Sequence, residues 1–159
     1  MTLDLRPYQD TLKIRAALAC QRIAVVGLSS NVLRASHFVG YYLLRHGFDV
    51  VPVNPREKEV FGRISYPDLA SIPGGVDLVD VFREPSAVPG IATDAAKISA
   101  KAMWLQYDVI SPEGIAIADA AGMNVIVDRC IKIEHARWFG RMHVLGFNTE
   151  VISAKRQRL

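Results

Sequence analysis

The stretch Ile23–His37, IAVVGLSSNVLRASH, decides how the chain is read. A continuous apolar run passes through Gly27 into a polar turn, and helical spacing begins near Ser36. A strand, a tight glycine-containing loop and a helix in that order place backbone N–H groups and the positive helix end where an anion can sit. Gly27 permits a close approach, Ser29, Ser30 and Ser36 can donate hydrogen bonds, and Arg34 adds charge. A serine-rich turn that only caps the helix would look the same locally.

Three sharper motifs are absent. Positions 29 and 32 are Ser and Val, so the loop is not the three-glycine dinucleotide fingerprint, and no Gly-Lys-Ser/Thr follows. Ser29-Ser30 runs into Asn31 where a hydrolase elbow would have glycine, which makes Ser29 a poor nucleophile candidate.

Working outward, short apolar runs alternate with helical spacing, the pattern of buried parallel strands crossed by helices. Leu12, Ala16 and Ala19 share one face of a leading helix. Strands are predicted over Ile23–Leu28, Phe48–Val53, Val76–Phe82, Ala102–Leu105 and Val125–Val127. Helices are predicted from about Ser36 to His46, over the apolar spacing Val88, Ile91, Ala95 and Ile98, after the Ser111-Pro112 cap, and from about Ile131. Asn54–Pro67 reads as a polar, proline-bounded loop. Five strands with helical crossovers make an α/β, doubly wound parallel sheet in a single domain, with residues 1–22 as a helical lead-in, 23–139 as the body and 140–159 as an extension.

In such a sheet the ligand sits at the carboxyl ends of the strands. Those positions read Gly27-Leu28-Ser29-Ser30, Asn54-Pro55-Arg56, Arg83-Glu84-Pro85, Gln106-Tyr107-Asp108 and Asp128-Arg129-Cys130, all polar. An NAD site would put Asp or Glu after the second strand for the ribose hydroxyls. Asn54-Pro55-Arg56 instead suits a phosphorylated ribose, as in NADP or coenzyme A, unless Arg56 is simply a solvated charge beside Glu57, Lys58 and Glu59.

The net charge of +3 is matched by Lys155, Arg156 and Arg158 alone, leaving 3 − 3 = 0 for the rest, so a nucleic-acid footprint is not expected. No apolar run approaches the ~18 residues of a membrane span, and the N-terminus has no signal-peptide pattern; a cytoplasmic protein is expected. Cys20 and Cys130, far apart, fit reduced thiols and no zinc site. His37, His46, His135 and His143 are scattered, with His46 expected at a helix C-terminus. Trp104, Trp138, Phe38, Tyr41 and Tyr42 read as packing residues, and Phe61 or Tyr66 as a candidate adenine neighbour. Cys130, near Arg129, Lys132 and the start of the last helix, is the one chemical candidate, because those features would lower a thiol pKa.

VVGLSS, VVPVNPR, VDLVDVFREPSAVP, KAMWLQYDVISPEG and AAGMNVIVDRCIKIEHAR, in this order and spacing, resemble the small stand-alone CoA-binding domain proteins. These are similar to the CoA-binding domain of the succinyl-CoA synthetase alpha subunit. The resemblance covers roughly residues 12–139 and implies a Rossmann-like fold binding CoA or an acyl-CoA. It implies that Gly27, Leu28, Ser29 and Ser30, with Arg34, cradle phosphates, and that Val53, Asn54 and Pro55 flank the adenosine with Arg56 at its phosphate. Phe82, Arg83 and Pro85 would line the nucleotide, and Leu105 and Gln106 the pyrophosphate or pantetheine. The loop departs from the family pattern in lacking lysine or proline at 30–33, and Ala35 stands where proline usually precedes Ser36-His37.

The phosphohistidine domain of the ligase relatives has no counterpart here, so CoA ligation by this chain is not expected. The leading expectation is a CoA-binding protein without catalysis of its own: a carrier, sensor or regulatory partner. An NADP-linked oxidoreductase or redox sensor is the alternative, and a mixed disulfide between Cys130 and CoA, formed from CoA disulfide, is a second. A homodimer or a further protein partner is compatible with Val144, Leu145 and Phe147 in the extension, which could equally cover the chain's own core.

Overall fold

The computed structural model describes residues 2–140. The extension beyond them, with His143, Val144, Leu145, Phe147 and the basic tail, lies outside the described residues. Five strands form one parallel sheet: β1 (Arg22–Val26), β2 (Asp49–Val53), β5 (Leu78–Val81), β6 (Ala102–Leu105) and β7 (Asn124–Val127), in the order β2-β1-β5-β6-β7. A separate two-stranded ribbon pairs β3 (Glu59–Val60) with β4 (Arg63–Ile64). The helices are α1 (Thr11–Leu18), α2 (Ala35–Arg45), α3 (Val88–Lys97), α4 (Pro112–Ala120) and α5 (Ile131–Trp138).

Alternation along each strand divides the core into two layers. Ile23 and Val25 of β1, with Leu78, Trp104 and Ile126, pack against Ile14, Ala17, Leu18, Val39, Leu43 and Ile131 of α1, α2 and α5. Ala24 and Val26, with Val79, Val81, Met103 and Val125, pack against Val88, Ala92, Ala95, Ile115 and Ala118 of α3 and α4. Both faces of the sheet are therefore covered, which is why its strands read as continuous apolar runs. Gly114 lets α4 lie tight on α3: a Cβ there would come within 2.4 Å of Val88 Cγ1.

Three expectations need correction. The buried face of α1 is Ile14, Ala17 and Leu18; Leu12, Ala16 and Ala19 share the opposite, solvent face. The connection from β2 to β5 carries no helix: the β3–β4 ribbon and an irregular segment make the crossover, and Leu69 and Ile72 take the place of a helix on the α3–α4 face. Phe38 and Tyr41 are not packed inside, being 57% and 52% exposed on α2.

The Ser111-Pro112 cap and the placement of His46 meet the structure. Ser111 caps α4, its Oγ accepting from the Gly114 N–H at 3.2 Å, with Pro112 in the first turn. Pro89 and Gly90 fall within the first turn of α3, where a missing N–H costs nothing. His46 is the exposed C-cap residue of α2.

Candidate functional site

The strand order reverses between β1 and β5, both of which leave the sheet at the same edge, and the chain after β1 runs left to β2 while β5 begins the right half. There the backbone turns at Gly27 with φ 87°, its N–H donating to Val53 O at 2.8 Å. A Cβ at Gly27 would lie 2.6 Å from Phe82 O, so only glycine lets the loops after β1 and β5 touch.

Beyond Gly27 the loop is held by its own polar side chains. Ser29 N–H donates to Ser36 Oγ at 3.2 Å, Asn31 N–H to Ser29 Oγ at 3.1 Å, and Leu33 N–H to Asn31 Oδ1 at 3.0 Å. Arg34, whose side chain makes no cap hydrogen bond, then opens α2. Ser36 is buried at the first turn of that helix, and its hydroxyl keeps its own proton to donate.

Asn54 ties a second loop to the first. Its Nδ2 donates to Leu28 O at 3.0 Å, and its Oδ1 accepts from the Arg56 N–H at 3.0 Å. The residue that replaces the ribose-binding acid thus serves as a brace, and it sets Arg56 at the lip. Arg56 and Arg34 have no ion-pair partner among the described residues. Arg83 is paired with its neighbour, Nη2 lying 3.0 Å from Glu84 Oε1.

These loops enclose an open cleft of about 730 Å³. Of the residues singled out in the sequence, Gly27, Ser29, Arg34, Ser36, Asn54, Pro55, Arg56, Phe82 and Arg83 line it. Leu28 and Val53 are buried beneath it, Ser30 and Pro85 are exposed outside its lining, and Leu105 and Gln106 are buried away from it. Glu84, read from the sequence as a strand-end position, lines it too, and so do Ala35 and Glu57, which were not anticipated as site residues. Glu57 Oε1 accepts from both the N–H and the hydroxyl of Ser30, at 2.9 and 2.8 Å. These bonds hold its carboxyl below the usual glutamate value, as Arg83 does for Glu84. No sequence pattern marks a contact across 27 residues between two loops.

Gln106 turns inward instead of toward the cleft. Its Nε2 donates to Asp80 Oδ1 at 2.6 Å, while Asp80 Oδ2 has no partner. Burial pushes the Asp80 carboxyl up to about 7, against the opposing pull of the bonds from Gln106 and the Val81 N–H. Cys130 is the N-cap residue of α5, but its thiol is pushed up, chiefly by burial and further by Asp80, over the opposing effect of the Ile133 and Lys132 N–H groups. The expected lowering is therefore reversed. Arg129 is turned elsewhere, toward Glu134 at 3.7 Å and Gln9 at 3.3 Å. Phe61 packs on His37 and Tyr41, and Tyr66 packs against the α3–α4 layer, so neither lines the cleft. Among the described residues no group of His, Cys, Asp or Glu could hold a metal ion, and no helix is long and apolar enough to cross a membrane.

A five-stranded parallel sheet with a glycine turn, a helix start and arginines at its switch point defines a Rossmann-like domain. Residues 21–136 match the CoA binding domain family, and the chain belongs to that family. It is 37% identical over 116 residues to the uncharacterized protein YneT of Bacillus subtilis, covering 73% of this chain and 86% of that one. A protein of Pyrococcus horikoshii is 36% identical with a TM-score of 0.82, over 88% of this chain and 99% of its own. An acetyl-coenzyme A synthetase of Candidatus Korarchaeum cryptofilum is 27% identical with a TM-score of 0.58, over 65% of this chain but only 25% of the enzyme.

Proposed function

We propose that this chain binds coenzyme A, free or acylated, in the cleft at Gly27, and acts as a carrier, sensor or regulatory partner without catalysis of its own. One observation carries the reading: the cleft combines a glycine turn and a helix start with Arg34 and Arg56, two arginines without ion-pair partners among the described residues, while Asn54 replaces the acid of an NAD site. The start of α2 at Ala35, the Ser29 and Ser36 hydroxyls and Arg34 meet the pyrophosphate, and Gly27, lacking a side chain, lets it approach. Arg56 takes the 3′-phosphate, and Phe82 with Pro55 offers apolar surface to the nucleoside.

The cleft's own acids support binding over chemistry. Glu57 and Glu84 are both held as carboxylates by hydrogen-bond donors, so neither is poised to exchange a proton near neutral pH. NADP is the second reading, because Arg56 would suit a 2′-phosphate equally well.

Calorimetric titration with CoA, dephospho-CoA and NADP at one ionic strength separates the two. CoA is expected to bind, and dephospho-CoA to bind about tenfold more weakly, a loss that Arg56→Ala abolishes by weakening CoA to the same level. Binding of NADP without CoA would overturn the proposal.

A further inference from the structure

Glu57 joins the loop after β2 to the loop after β1. Its Oε1 accepts two hydrogen bonds from one residue of the glycine loop, the Ser30 backbone N–H at 2.9 Å and the Ser30 hydroxyl at 2.8 Å. Paired donors of this kind, one main-chain and one hydroxyl, at the turn before a helix, are those a phosphate oxygen uses. The carboxylate reaches them by construction. Glu57 N–H donates to Asn54 O at 3.2 Å, closing a tight turn, and Asn54 Nδ2 anchors that turn to Leu28 O at 3.0 Å. Glu57 lines the same cleft as Arg34 and Arg56, yet its oxygen is bonded to Ser30 and to neither arginine.

We propose that Glu57 is a built-in competitor for a phosphate at the rim of the cleft, where Ser30 follows the lining residue Ser29 and Glu57 itself lines the opening. The Glu57 carboxylate satisfies the Ser30 donors; a phosphate-bearing ligand takes those donors and sends Glu57 to solvent. Affinity is then the difference between two anions competing for one set of donors, and it is lowered by the internal one. No bond is made or broken beyond hydrogen bonds. Arg56, one residue away on the same turn, provides the compensating charge once Glu57 leaves. The inference rests on reading the cleft as a site for a phosphate-bearing ligand, and it adds what sets that ligand's affinity.

The test titrates wild type, Glu57→Gln and Glu57→Ala with CoA and, separately, with inorganic pyrophosphate, following the Ser30 amide by NMR. The glutamine side chain still accepts hydrogen bonds but carries no charge, and alanine leaves the donors open. Both variants are expected to bind both probes more tightly, Glu57→Ala by about tenfold, and the Ser30 amide of unliganded wild type is expected to move on adding either probe. Equal or weaker binding by the variants makes Glu57 a clip between loops, or a ligand contact, and overturns the proposal. If CoA binds to none of the three chains, the CoA reading has failed. The pyrophosphate arm then decides this inference alone: tighter binding by the variants upholds it, and equal or absent binding overturns it.

Discussion

At the scale of single residues, Gly27 and Asp80 carry the most consequence. Gly27 needs both its positive φ and its missing Cβ, so Gly27→Ala is expected to cost about 1–3 kcal/mol and to weaken ligand binding together. Urea unfolding with an unchanged midpoint would contradict this. Asp80 is buried with one oxygen unpartnered, and its folded pKa of about 7 stands above its ordinary 3.8. The folded chain then holds a proton that the unfolded chain has lost between those values, so the contribution is present at low pH and disappears as pH rises through 7. Relative to Asp80→Asn, wild type is expected to lose on the order of 2–3 kcal/mol between pH 5 and pH 8, read from paired denaturation curves. A constant difference would mean that Asp80 does not titrate in that range. Gly27, Arg34 and Ser36 were legible in the sequence because strand, glycine and helix follow one another without interruption. Glu57 was not, because in a run with Lys58 and Glu59 it reads as solvated charge until the fold lays its loop on Ser30.

At the scale of elements, caps and apolar runs read true, and short or edge features did not. Ser111 was recognisable because its side chain acts on its own helix, three residues on. Ser111→Ala is expected to destabilise the chain by about 1 kcal/mol while leaving ligand affinity unchanged, since α4 lies outside the cleft lining. A fall in affinity at constant stability would contradict that separation. The α1 face was misjudged because alanines sit on both sides of the helix; Ile14 and Leu18, not the alanines, mark the buried side. The β3–β4 ribbon is two residues per strand around Phe61 and Gly62, both at positive φ, too short for alternation to register. Gln106 follows β6 and so was assigned to the ligand edge, but nothing in sequence pairs it with Asp80 on the neighbouring strand.

At the scale of the whole molecule, the strand order β2-β1-β5-β6-β7 puts the reversal between β1 and β5, and the polar loops collected there form the cleft. The parallel fold was legible because both faces of the sheet are covered and its strands are apolar throughout. Which strand ends share the cleft was legible only in part: the loops after β1, β2 and β5 meet, while Leu105 at the end of β6 and Gln106 after it are buried outside the cleft lining. CoA is proposed to bind where those three loops meet, and amide chemical-shift mapping on adding CoA reports that placement residue by residue. The largest shifts are expected at Gly27, Ser29, Ser30, Ser36, Arg56 and Arg83, with β7 and α4 unmoved. Shifts centred on another surface, or none at millimolar CoA, would contradict it.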